Sequence, residues 1–96
     1  MNREEYIDTI TAKLKEWNAE IEKLEAKAQE TGADTKKEIS KEIEDLRTKK
    51  QAAEYKLEDI KEAGEDSWKE LQAETEDAME HIKSALENAV NRFKNI

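Results

Sequence analysis

Proline is absent and glycine occurs only at Gly32 and Gly64, so two positions in 96 residues weaken an otherwise continuous helix-forming backbone. They divide the chain into three nearly equal segments, each opening on a start signal: Asn2-x-x-Glu5, Thr35-x-x-Glu38 and Ser67-x-x-Glu70. In this arrangement a cap oxygen accepts from a free amide of the first turn, and the Glu three residues later returns to the cap's own amide. An apolar residue stands four places after each cap (Tyr6, Ile39, Leu71), where a helix first turns inward. The spacing predicts helices over about 3–31, 35–63 and 67–94, each roughly 42 Å long at 1.5 Å per residue.

Apolar spacing defines the inward faces. In the first segment it runs through Ile7, Ile10, Leu14, Trp17, Ile21, Leu24 and Ala28, with steps of three and four in strict alternation. That is a heptad seam, a narrow stripe suited to helix–helix contact. The second seam runs through Ile39, Ile43, Leu46, Lys50, Ala53, Leu57 and Ile60, one residue out of phase with the first. A turn near residues 31–35 accounts for the shift, with Gly32 as a left-handed residue closing one helix and Asp34 or Thr35 capping the next. The third segment reads as an eleven-residue repeat: Trp68, Met79 and Val90 form one series, Leu71, Ile82 and Phe93 another, with Thr75 and Leu86 between them. Such a repeat makes a straighter and broader apolar face, to which Ala78, Ala85 and Ala89 add.

Equal lengths and short connections predict an all-α, antiparallel three-helix bundle or coiled coil, a single domain spanning 1–96. The alternative is one continuous helix over 3–63 with the third folded back, in an oligomer. In the bundle, facing positions of the first two helices have numbers summing to about 66, and the third lies beside the first with an offset near 64. Trp17 then falls at the level of Lys50 and Ala53. Lys50 either snorkels, its stem covering apolar surface, or fixes register as the one polar seam residue.

Charged residues make up 44% of the chain against 35% apolar, so the core is a thin seam and self-association is expected. A net charge of −8 argues against a nucleic-acid partner, because phosphate binding needs a basic face. The absence of cysteine fits a reducing compartment, the N-terminus lacks the apolar core of a signal peptide, and no 18 apolar residues run together. A cytoplasmic location is the expectation.

Little in the chain carries chemistry. His81 is the lone histidine; Asp77 one turn earlier shares its face, but no second His or Cys completes a zinc site. The hydroxyls have no general base in a recognisable arrangement, and carboxylate pairs such as Glu16/Glu20 arise by chance among 25 acids. No enzymatic activity, metal or cofactor is expected. Tyr6 and Tyr55 flank the seams and read as surface aromatics without a function.

The run from Tyr6-Ile7 through Leu14-Lys15-Glu16-Trp17 to Leu24-Glu25-Ala26-Lys27-Ala28 resembles the opening of small bacterial coiled-coil proteins labelled stress-response proteins. Ala33-Asp34-Thr35-Lys36, Ile43 to Arg47, and Trp68 to Leu71 match later parts of their pattern, so the resemblance covers nearly the whole chain. It implies a cytoplasmic, non-enzymatic helical protein associated with stress. Gly32 departs from the more helix-favouring linker of that family.

The seams point to an interaction or structural module that pairs with itself or with another helix. Its candidate contact residues are Ile7, Ile10, Leu14, Trp17, Ile21 and Leu24, then Ile39, Ile43, Leu46, Ala53, Leu57 and Ile60, then Trp68, Leu71, Met79, Ile82, Leu86, Val90 and Phe93. The competing expectation is a peripheral lipid-binding or membrane-protecting protein that uses the broad face of the third helix. Charge disfavours a membrane surface: from Glu65 onward there are eight acids and four bases.

Overall fold

A computed structural model describes residues 2–30 and 32–94, with the backbone alone for residues 33–35. Three helices follow one another: α1 (Arg3–Gln29), α2 (Ala33–Glu62) and α3 (Ser67–Lys94). They form a rod of 50 × 17 × 17 Å, the length set by α2, whose 30 residues span about 45 Å at 1.5 Å per residue. α2 is the central partner: α3 packs on it most extensively and α1 next, whereas α1 and α3 approach each other least.

The helix ends agree with the sequence signals at one site and differ at two. Asn2 caps α1, its Oδ1 accepting from the Glu5 amide at 2.8 Å. Glu5 answers the cap's side chain rather than its backbone, accepting from Asn2 Nδ2 at 3.3 Å. Gly32 is not left-handed; with φ −65° and ψ 161° it is the extended N-cap of α2 and contributes no side-chain cap bond. α1 instead ends on right-handed Glu30, whose amide donates to the Lys27 carbonyl at 3.0 Å. α2 then begins at Ala33, which rules out Asp34 or Thr35 as its cap; the Thr31 end of the expected first helix lies outside the described residues. Ser67, the expected cap of α3, is instead its first helical residue.

The break at Gly32 excludes a continuous helix over 3–63. The first two helices run antiparallel, with Lys50 Nζ donating to Asn18 Oδ1 at 2.7 Å and Arg47 paired with Glu25. The second reversal is tied back to the start of the chain by Arg3, whose guanidinium donates to the Ala63 carbonyl at 2.7 Å. α1 and α3 therefore run parallel. Tyr6 meets Trp68 with ring centroids 6.0 Å apart, and its hydroxyl reaches Glu76, which brackets the expected offset.

Seam residues bury themselves in two clusters along the rod. One joins Tyr6, Ile10 and Leu14 to Ala53, Leu57, Ile60, Trp68, Met79 and Ile82. The other joins Ile21, Leu24 and Ala28 to Ile39, Ile43, Leu46, Leu86 and Ala89. Trp17 packs against both. At that level stands the Asn18–Lys50 hydrogen bond, so a polar layer divides the core. The Lys50 side chain is 18% exposed and lies 3.6 Å from Glu54 Oε1. Its ammonium is thus held between two partners rather than simply released to water.

The inward line of α3 differs from the expected eleven-residue repeat. The buried residues are Trp68, Thr75, Met79, Ile82, Leu86 and Ala89, spaced as a heptad. Leu71, Val90 and Phe93, members of the longer repeat, are only half-buried. Thr75 occupies a fully buried seam position because its Oγ1 donates to the Leu71 carbonyl at 2.9 Å, which satisfies the hydroxyl inside the helix.

Candidate interaction surface

Most of the seam residues are consumed within the chain. Ile10, Leu14, Ile21, Leu24, Ile39, Ile43, Leu46, Ala53, Leu57, Ile60, Trp68, Met79, Ile82 and Leu86 are buried. Ile7, Trp17, Leu71, Val90 and Phe93 are half-buried. A seam filled by neighbouring helices of the same chain offers little to an outside partner, so any surface for one lies where the packing is incomplete.

That place is the groove between α1 and α3, the pair of helices that approach each other least. At its N-terminal end large aromatic side chains fill the gap. Tyr6, 3% exposed, packs on Trp68, and its hydroxyl donates to Glu76 Oε1 at 3.0 Å. Burial chiefly, then the hydrogen bond to Glu76 and its charge, push the Tyr6 phenol well above its ordinary pKa. Nearer the C-terminal ends the filling is partial. Trp17 and Leu24 of α1 and Leu86, Val90 and Phe93 of α3 line an open groove. Its edges carry Glu16, Glu20, Lys23 and Lys27 from α1, with Glu87 and Lys94 from α3.

Electrostatics sets this groove apart from the other two. Arg47–Glu25 and Lys50–Asn18 bind α1 to α2. Lys56–Glu74 at 3.5 Å and Arg92–Glu42 at 3.1 Å bind α2 to α3. Among the described residues no ion pair joins α1 to α3. Lys13 instead sets its ammonium 5.8 Å from the centre of the Trp17 ring, a cation–π contact.

Two other surfaces are open to inspection. Tyr55, the one exposed large hydrophobic residue among those described, is 63% exposed beside an α1–α2 groove lined by Leu14, Leu57, Lys15 and Lys61. Gln51 Nε2 donates to its hydroxyl at 3.2 Å, a contact within α2. His81 lies exposed at the edge of an α2–α3 groove with Glu42, Asp45, Ser84 and Asn88. Among the described residues no three His, Cys, Asp or Glu side chains are grouped to hold a metal ion. No described helix is long and apolar enough to cross a membrane.

The expectation that Tyr6 lies at the surface is thus corrected, and Asn18 is a contact residue that seam spacing did not single out. The signal for Tyr6 was its place four residues after the Asn2 cap. For Asn18 it was adjacency to Trp17 at the level of the only charged seam residue. Compared with known protein families, characterised proteins and solved structures, the chain shows no significant match.

Proposed function

We propose that this chain is a non-enzymatic helical interaction module that presents the α1–α3 groove to a helical protein partner. The observation that supports the reading is the half-buried set Trp17, Val90 and Phe93 between two helices that no ion pair ties together among the described residues. Apolar side chains left partly wet at the junction of two parallel helices suit the apolar stripe of a third. The association with stress rests on the resemblance of Tyr6 to Ala28 and the later matched stretches, and a reducing, cytoplasmic setting accords with the absence of cysteine.

A peripheral lipid-binding role would draw on the apolar face of α3. In the bundle Trp68, Met79, Ile82 and Leu86 of that face are buried, so lipid binding requires α3 to leave its partners. The two readings separate in one comparison. Affinity capture uses wild-type bait and a Val90→Glu bait, and the emission of the two tryptophans, Trp17 and Trp68, is recorded with zwitterionic and with anionic vesicles. The interaction module predicts partners held by wild type and lost with Val90→Glu, and an unshifted tryptophan emission. Capture indifferent to Val90→Glu, or a vesicle-induced blue shift, defeats it.

A further inference from the structure

We propose that the groove-side edge of α1 pairs with the same edge of a second copy of this chain, antiparallel, across a twofold axis passing between Ile21 and Glu22. This rests on the reading as an interaction module and names the partner. A line of charge carries it. Lys13, Glu16, Glu20, Lys23, Lys27 and the C-cap Glu30 recur at steps of three and four along α1 and its end, parallel to its seam, and the middle four border α3. Glu20 is half-buried and the other five are exposed.

Read backwards, this line inverts every sign. Lys13 faces Glu30 of the second copy, Glu16 faces its Lys27 and Glu20 faces its Lys23, and the twofold axis generates the three reciprocal pairs. Parallel copies in register would set like charges together at all six positions, so the pattern selects orientation as well as partner.

Three observations on the same edge point to a second copy rather than to solvent alone. The chain carries −8 overall, which holds copies apart, whereas this line is balanced, three Lys against three Glu. Glu16, Lys27 and Glu30 have no ion-pair partner among the described residues, and Glu20 and Lys23 have only each other, at 3.6 Å. The line borders Trp17, Val90 and Phe93, whose remaining exposed area the second copy covers. Exposed ion pairs are individually weak and screened by salt, so the dimer is weak and dissociates as ionic strength rises.

Sedimentation equilibrium of the full chain tests this, over a concentration series at about 0.05 M and about 0.5 M salt, between which screening lengths differ severalfold. The expected result is a mass rising from one chain towards two at low salt, with dissociation at least tenfold stronger at high salt. Glu16→Lys/Glu20→Lys makes the line almost wholly basic, and Lys23→Glu/Lys27→Glu makes it almost wholly acidic. Each variant alone is expected to stay monomeric. An equimolar mixture is expected to recover the dimer, because antiparallel pairing of the two restores opposite signs at all six positions. Circular dichroism confirms that both remain helical, and the salt dependence of the wild type stands independently of them.

A chain monomeric throughout, a dimer indifferent to salt and to both variants, or variants that do not recover on mixing each overturn the proposal. If such a chain still captures another helix in a manner lost with Val90→Glu, only self-pairing fails and the interaction module stands. Mass gained only with vesicles present overturns both.

Discussion

At the scale of single residues, Tyr6 shows how a side chain outside a strict heptad becomes part of the core. Heptad spacing points to Ile7, but the Asn2 cap starts α1 so that Tyr6 faces the space between α1 and α3. There the ring meets Trp68, and a hydroxyl at its far end reaches Glu76, a span an isoleucine does not cover. The Tyr6 phenol gives up its proton at higher pH in the folded chain than in the unfolded one, because burial and Glu76 both disfavour phenolate. Its contribution is therefore intact below the ordinary phenol pKa of about 10 and is lost as pH rises above it, where the unfolded chain ionises first. Tyr6→Phe is expected to cost about 1 kcal/mol at neutral pH, since Glu76 is exposed and regains water. Above pH about 10 the variant is expected to lose stability less steeply than wild type. Urea midpoints measured from neutral to alkaline pH decide this; an unchanged neutral midpoint with an unchanged alkaline decline contradicts it.

At the scale of elements, the seams of α1 and α2 were legible because their partners continue the same period. The seam of α3 was not. Its apolar residues support two periods, an eleven-residue repeat through Trp68, Met79 and Val90 with Leu71, Ile82 and Phe93, and a heptad through Met79, Ile82, Leu86 and Ala89. Spacing alone cannot say which faces a neighbour. Contact with α2 selected the heptad, which required burying Thr75, and left Val90 and Phe93 along the groove. The connections carry a similar lesson. Glycine suggests a left-handed turn, yet Gly32 is extended and neither described glycine has positive φ. A Cβ added at Gly32 or Gly64 meets nothing within 4 Å. Gly32→Ser, which adds a cap oxygen to α2, and Gly64→Ala are each expected to stabilise by about 0.5–1 kcal/mol, largely by restricting the unfolded chain. Thermal melts check this, and a lowered midpoint in either variant would place that glycine in a conformation only glycine tolerates.

At the scale of the whole molecule, the Asn18–Lys50 layer separates two apolar clusters bridged by Trp17. A lysine in the seam is expensive to desolvate, and its bond to Asn18 offsets that cost while favouring one register of α1 on α2. Lys50→Leu joins the clusters and is expected to raise the unfolding free energy by about 1–2 kcal/mol, the worth of an apolar side chain at a mostly buried position. A lower urea midpoint would show instead that the Asn18 bond outweighs the added burial. The same scale explains why the groove could not be read from spacing. Its openness follows from α2 holding α1 and α3 on either side of itself, a relation among three helices that no single period encodes.

By itself the sequence determined three helix-forming segments, their approximate lengths and most of the inward lines of α1 and α2, while leaving the junction at Gly32 open between a turn and a continuous helix. These follow from local chemistry: capping at Asn2, an uninterrupted helix-forming backbone between glycines, and apolar steps of three and four. Only the tertiary structure decided which stripe of α3 is core, that Tyr6 rather than Ile7 fills the α1–α3 gap, and that Lys50 meets Asn18. Each depends on the distance between helices, which is set by all the side chains between them at once.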